Sequence, residues 1–359
     1  MRRIRLGSAQ CAARERRGTW GPRLIAGALL GALALTLLGC APLGQRTGNT
    51  GRFPGKLVVG ADGALWFAEG PTGSVRVGRI TTAGKVTEVS IAPGAAETLT
   101  VAPNGTLWFA EGNSNPRVGS LTSQGVVTIY HLTPQSHPRD LAASPDGNLW
   151  YTDAQNNAIA RVTPSGDVRV FPLPTPDAAP WKIVADPGGR LWFTEDAVRQ
   201  IGSITESGTI TEYPVPSADM PDGIGTGPDN SIWFTEINSS VGGGAVWRRA
   251  ADGTLTQFPI VLNHGTSNVS NPDAITEGPD GNLWFSALGA GVGRITPTGQ
   301  ITVFPLTKLQ ATGDITAGPD GNLWFSAVYT NKIVRITPAG QVTTFDLPAD
   351  HYTCGWFSC

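Results

Sequence analysis

Across residues 53–348 the apolar positions neither recur every 3.6 residues nor run on unbroken; they come as short blocks parted by glycine- and proline-bearing turns. That pattern predicts strands rather than helices. The block that sets the unit is Gly278-Pro279-Asp280-Gly281-Asn282-Leu283-Trp284-Phe285. Its aromatic end recurs as Leu65-Trp66-Phe67, Leu107-Trp108-Phe109, Leu149-Trp150-Tyr151, Leu191-Trp192-Phe193, Ile232-Trp233-Phe234 and Leu323-Trp324-Phe325. Successive tryptophans are 42, 42, 42, 41, 51 and 40 residues apart, the length of a four-stranded propeller blade.

Within one unit, Pro279-Asp280-Gly281 has the chemistry of a three-residue hairpin: proline presets φ, aspartate bonds back to the chain, and glycine accepts positive φ. The residues on either side should therefore pair, Asp273–Thr276 as an inner strand and Leu283–Ala287 as a second. Gly293–Thr296 and Ile301–Pro305, joined by the turn Pro297-Thr298-Gly299, supply the third and fourth. The expected fold is all-β, a seven-bladed propeller over residues 53–348. One sheet cannot cover its own faces, so the Leu-Trp-Phe triplets are expected to pack blade on blade. Each blade is read as contiguous sequence, leaving the ring to close by side-chain packing between blades one and seven. The long interval places extra residues at Leu262–Ser270, between the outer strand of blade five and the inner strand of blade six, as a ligand-shaping loop or neutral drift.

The flanks read differently. Residues 1–39 carry Arg2, Arg3, Arg5, Arg14, Arg16, Arg17 and Arg23, then an apolar run from Leu24 to Leu38 ending at Gly39-Cys40. Leu37-Leu38-Gly39-Cys40 resembles a lipobox, so Cys40 is expected to be lipidated and to anchor an exported chain at the cell envelope; an uncleaved anchor is the alternative. Residues 40–52 form a polar tether. Loss of residues 1–39 takes away seven arginines and one glutamate, leaving 19 basic and 27 acidic residues, a formal charge of about −8. With no basic stripe either, nucleic acid is not an expected partner, and a monomer is expected. In the tail, 349–359, Cys354 and Cys359 are expected to form a disulfide, with a metal-binding pair as the rival reading.

Propellers offer ligands at the mouth of the central channel, so candidate chemistry is sought where each inner strand begins. There, after the proline or its substitute, stand Gly55, Glu97, Arg139, Trp181, Asp222, Asp273 and Gly313. An unbroken hairpin register would set them opposite Glu69, Glu111, Asp153, Glu195, Glu236, Ala287 and Ala327. Such a gathering of carboxylates suits a wet mouth better than a packed interior. The expectation is a small-molecule or peptidic ligand held by Glu97, Trp181, Asp222 and Asp273. Mg²⁺ or Ca²⁺ would sit on Glu97, Asp222 and Asp273, with Asp273, Arg139 and His137 as the catalytic candidates. The bland alternative is an exposed acidic rim in which Arg139 pairs with Asp153. The other histidines, His131, His264 and His351, sit in no metal-ligand spacing, and no Gly-x-Ser-x-Gly elbow is present.

The tandem of Pro-x-x-Ile, Gly-Pro-Asp-Gly-x-Leu-Trp-Phe-Thr-Glu, Ile-Gly-Arg-Ile-Thr and Phe-Pro-Leu-Pro resembles the virginiamycin B lyase (streptogramin B lyase)-like family. Leu191-Trp192-Phe193-Thr194-Glu195 and Ile201-Gly202-Ser203-Ile204-Thr205 repeat its wording. The resemblance covers Phe53 to Pro348. It implies a seven-bladed propeller, a Mg²⁺-dependent site at the mouth, and opening of a cyclic depsipeptide by elimination. The family sets histidines just after the inner-strand proline of its last two blades, where this chain has Asp273 and Gly313. Its two glutamates fall at Ala311 and at Val328 or Tyr329. The resemblance thus carries the architecture without the catalytic set, and a non-catalytic surface scaffold or sensor, binding protein or carbohydrate, is the alternative function.

Overall fold

The computed structural model describes residues 54–348 apart from 70–74, 93–95, 97, 112–115, 218, 238–243, 261–270, 289–290, 307–311 and 328–329. Residues 1–39, read above as a signal segment, Cys40, Glu97, the extra residues of the long interval, and Cys354 with Cys359 all lie outside the described residues. The described residues form seven four-stranded antiparallel sheets, each made of four consecutive strands in the order of the chain. Blade six is representative, with strands Asn271–Glu277, Leu283–Leu288, Gly291–Ile295 and Ile301–Pro305. Among the described residues, only the 3₁₀ turn Asp196–Val198 is helical.

The hairpin between inner and second strand has the geometry its sequence demands. Gly278 N–H donates to the Asn282 carbonyl at 2.7 Å and Gly281 N–H to the Gly278 carbonyl at 3.1 Å, while Gly281 takes φ +71°. A β-carbon would strain that left-handed backbone, which is why glycine closes the turn.

Packing follows from the period of two along a strand. In the second strand Leu283 and Phe285 share one face and meet Trp233 of blade five, whereas Trp284 points the other way and meets Leu323 and Phe325 of blade seven. Every blade thus sends its tryptophan into the leucine–phenylalanine face of the next. The ring closes by the same contact, Trp324 of blade seven packing with Leu65, Phe67 and Ile80 of blade one. Closure comes from packing and contiguous blades, as expected from the sequence.

One element departs from expectation. The hairpin register holds from the turn up to Ile275↔Phe285 and then shifts, so that Pro272, rather than Asp273, sits opposite Ala287. The same irregularity sets Pro54 opposite Glu69, Pro138 opposite Asp153, Pro180 opposite Glu195 and Pro221 opposite Glu236. The shift does not depend on one hydroxyl, since blade one makes it with Ala68 and blade seven with Ser326, whose Oγ has no partner among the described residues, but in four blades a hydroxyl on the second strand fills the step. Thr152, Thr194, Thr235 and Ser286 accept the N–H of Asp140, Lys182, Gly223 and Ala274 at 3.1, 3.1, 2.8 and 3.0 Å. A side chain takes the place of a ladder carbonyl, and the inner strand bulges by one residue.

Candidate functional site

The bulges decide what reaches the mouth. The carboxylates that end the second strands do not: Glu69, Glu111, Asp153, Glu195 and Glu236 are between 0 and 4 % exposed. They lie on the same strand face as the phenylalanine two residues before them. Arg117 holds Glu111 at 2.7 Å, and Trp247 Nε1 donates to Glu236 at 2.8 Å. Asp153 accepts from the backbone N–H of His137 at 3.0 Å and from Asn156 Nδ2 at 2.8 Å, which replaces the Arg139–Asp153 pair considered from the sequence. Burial, with the nearby charge of Glu212, pushes the Glu195 carboxyl up to about 8, and neither of its oxygens has a hydrogen-bond partner among the described residues. The carboxylate-rich rim expected from an unbroken register is therefore not formed by these groups.

What lines the channel is the ring one residue deeper: Lys56, Thr98, Asp140, Lys182, Gly223, Ala274 and Asp314. Lys56 Nζ meets Asp140 at 2.6 Å, and Thr98 Oγ1 and Ile183 N–H donate to the same carboxylate at 3.0 and 3.1 Å. Although burial works against its charge, Lys56 and Lys182 keep the Asp140 carboxyl below the usual range. Lys182 reaches Asp314 at 3.5 Å. Burial disfavours the Lys182 ammonium too, but Asp314, Asp140, Asp273 and Asp222 outweigh it and raise its pKa. These ion pairs form a belt between a 250 Å³ cavity at the mouth and another beneath it, and the four belt side chains line both. The sequence carried a signal for this belt: inward strand positions that ought to be apolar are polar in five of seven blades.

Blades five and six contribute Gly223 and Ala274 at the belt level, and their backbones close in. A β-carbon at Gly223 would overlap the Asp273 carbonyl oxygen. The hydroxyl beside the bulge also ties neighbouring blades together, because Thr235 Oγ1 donates to the Asp273 carbonyl at 2.7 Å and Thr194 Oγ1 to that of Asp222 at 2.9 Å. This close approach sets the Asp222 and Asp273 carboxyls within electrostatic reach of each other. Burial, then the charge of Asp273, pushes Asp222 up to about 8. Burial with Asp314 raises Asp273 as well, against the pull of Lys182. Both carboxyls are therefore harder to ionise than an ordinary aspartate.

Across the mouth the exposed Arg139 guanidinium lies over the Trp181 ring, 5.2 Å from its centroid, and Arg139 and Asp273 line the same cavity. Of the residues selected from the sequence, Arg139, Trp181, Asp222 and Asp273 thus gather at the mouth. His137 stays behind the rim, outside the lining of that cavity, its Nε2 buried without a hydrogen-bond partner among the described residues. Among the described residues no three His, Cys, Asp or Glu side chains converge as a metal-holding set, and Glu97, the third member of the Mg²⁺ or Ca²⁺ set expected from the sequence, lies outside them. Among the described residues, no helix is long and apolar enough to cross a membrane.

Comparison with known proteins agrees with this architecture. The model of the virginiamycin B lyase family matches residues 46–220 and 217–354. A selenomethionine-substituted virginiamycin B lyase from Staphylococcus aureus is 35 % identical, over 70 % of this chain and 83 % of that one, with a TM-score of 0.63. A structure described as streptogramin B lyase is 29 % identical over 77 % and 91 % of the two chains, TM-score 0.70. A catalytically inactive histidine-to-alanine variant of the Staphylococcus aureus enzyme, solved with quinupristin, is 31 % identical over 77 % and 92 %, TM-score 0.69. No curated protein sequence matches the chain.

Proposed function

The chain belongs to the virginiamycin B lyase family, and from that premise we propose that its channel mouth binds a small or peptidic ligand rich in carbonyl groups. The observation that carries this reading is Arg139: an exposed guanidinium, 5.2 Å from the centroid of the Trp181 ring, in the cavity that also holds Asp273. The cation–π contact holds the guanidinium at the mouth, where its N–H groups suit carbonyl oxygens. The charges of the mouth balance, since Lys56, Lys182 and Arg139 face Asp140, Asp314 and a carboxyl pair of which Asp222 keeps its proton near neutral pH. A balanced mouth suits a neutral polar ligand better than a free cation. Quinupristin, with which the Staphylococcus aureus relative was solved, is the first ligand to try.

Chemistry at this mouth falls to the Asp222–Asp273 pair. A base works best with a pKa near the working pH, and a carboxyl pair raised by burial meets that condition where the family has a histidine. In an elimination the unprotonated carboxylate takes the proton from the carbon next to a carbonyl. The bond between the neighbouring carbon and the ester oxygen then breaks, and its electron pair leaves on that oxygen, within reach of Arg139. The presence of Asp273 and Gly313 where the family has histidines favours the second reading, a propeller that binds and does not turn over. Export and lipidation at Cys40 rest on Leu37-Leu38-Gly39-Cys40, and Cys40→Ser should release the protein from membranes.

Calorimetric titration with quinupristin, followed by chromatography of the recovered compound, tests the proposal. Binding should weaken at least about tenfold in Arg139→Ala, the effect of losing one charge-assisted hydrogen-bonding group. Asp273→Asn should retain binding and abolish any ring opening. Equal affinity in wild type and Arg139→Ala, or no binding by wild type, overturns the mouth as the site.

A further inference from the structure

The face of the ring opposite the mouth carries a second feature, at the seam between blades one and two. In six blades an aromatic side chain of the outer strand stacks on that blade's tryptophan: Tyr130, Phe171, Tyr213, Phe258, Phe304 and Phe345, with centroids 5.2 to 5.7 Å apart. The register makes these positions equivalent. Val118 pairs with Tyr130, Ile159 with Phe171, Val246 with Phe258 and Ile333 with Phe345. In blade one the same place belongs to Val89, opposite Val77.

The missing ring leaves a space. In five of the six aromatic blades the ring presses against a turn glycine of the following blade, as Phe171 does on Gly208 and Phe345 on Gly84; beside Gly125, the counterpart facing Val89, a β-carbon would meet nothing within 4 Å. A cavity of 280 Å³ opens there, lined by Trp66, Val89, Val101, Leu107, Leu121 and Gly125 among others. Trp66 is accordingly half-buried, whereas the other six repeat tryptophans are at most 5 % exposed.

The geometry points to a binding site for a neutral planar aromatic molecule of one or two rings, stacked on Trp66 in the place that an outer-strand ring fills in the other six blades. The class follows from the lining. An apolar cavity of about 150 Å³ suffices for benzene, so 280 Å³ admits a fused pair of rings. Trp66 offers the face that its six counterparts use for stacking. Charge is matched within the protein, since Arg79, over the ring at 5.9 Å, is already bound to Asp62 at 2.6 Å, so the site gives no preference to an ion. Thr122 and Ser123 border the cavity and suit a molecule with one hydrogen-bonding group. This site is remote from the mouth and does not depend on the function proposed for it.

Indole is the probe, titrated by calorimetry into wild type, Val89→Phe and Val89→Met. Wild type should bind one equivalent. Val89→Phe, which restores the ring found in the other blades, should weaken binding at least about tenfold and raise the melting temperature. Val89→Met, whose flexible chain also reaches over Trp66, serves if the phenylalanine variant does not fold, and should show the same loss. A difference map with the ring of indole over Trp66 completes the assignment. Failure of wild type to bind indole up to its solubility limit, or affinity unchanged in whichever Val89 variant folds, overturns the site.

Discussion

The seam between blades five and six and the seam between blades one and two are built from the same repeat, yet one is tight at both ends and the other is loose at both. At the first, Thr235 bridges the Gly223 N–H and the Asp273 carbonyl near the mouth. At its far end Trp233 is wholly buried under Phe258. At the second, Ala68 replaces the bridging threonine and Val89 the outer ring, so Trp66 stays half-buried beside a cavity. What both keep is the central contact of a tryptophan with the next blade's phenylalanine, Trp233 with Phe285 and Trp66 with Phe109. That contact closes the ring. The hydroxyl and the outer ring are free to vary, and the two candidate sites lie where they do.

The sharpest way to break this comparison is to remove both tryptophans in turn. Trp233→Ala empties a buried site and should cost about 3–5 kcal/mol in urea unfolding. Trp66→Ala, starting from a half-exposed ring with no aromatic partner among the described residues, should cost about half as much. Equal losses at the two positions would show that the looseness of the first seam has no energetic meaning.

A middle-sized effect should come from the bridging hydroxyl. Thr235→Val keeps the shape and leaves a buried N–H and a buried carbonyl without their partner, which should cost about 2–3 kcal/mol. Thr235→Ser should recover most of it. Ala68→Thr adds bulk to a buried position at the seam that manages without the bridge and should cost about 1–3 kcal/mol. An unchanged stability in Thr235→Val would remove the hydroxyl as the tie between blades five and six.

The bulge also explains how far the sequence could be read. Blade number, strand limits, turn type and closure were legible because each rests on period and turn chemistry, which act over a few residues. Arg139, Trp181, Asp222 and Asp273 were legible as mouth residues because they follow a repeated proline. The facing partners were not. Counting back from Pro279-Asp280-Gly281 sets Asp273 opposite Ala287, whereas the pairing moves by one, with the Ser286 hydroxyl bonded to the Ala274 N–H at 3.0 Å at the step. One residue of slip changes which side chains face each other, so five carboxylates assigned to the mouth lie buried. The belt of Lys56, Asp140, Lys182 and Asp314 was legible in principle, as polar residues at inward positions. The pairing of Lys56 with Asp140, two blades apart, depends on the curvature of the ring and is written in no local pattern.

The last expected effect concerns pH, and the two seams should respond with opposite sign. Asp222 has a folded pKa near 8 against an ordinary 3.8, so between those values the folded chain holds a proton that the unfolded chain has released. Stability therefore falls as pH rises from about 4 to about 8, and Asp222→Asn, which cannot lose that proton, should gain in melting temperature relative to wild type across the same range. Asp62, at the loose seam, is shifted the other way: despite its burial, hydrogen bonds from Arg79 and Trp66 hold its carboxyl below the ordinary range. Its contribution is present above the unfolded value and lost as pH falls through the folded one, so Asp62→Asn should lower the melting temperature at neutral pH and converge on wild type in acid. Both side chains of the Asp62–Arg79 pair are partly exposed, 40 and 27 %, so solvent screens the pair and the effect should be slight and shrink further with salt. Melting curves of the two variants from pH 3 to pH 9 would show slopes of opposite sign if the carboxyl pair and the surface ion pair differ as described. Slopes of the same sign would mean that Asp222 titrates as an ordinary carboxylate.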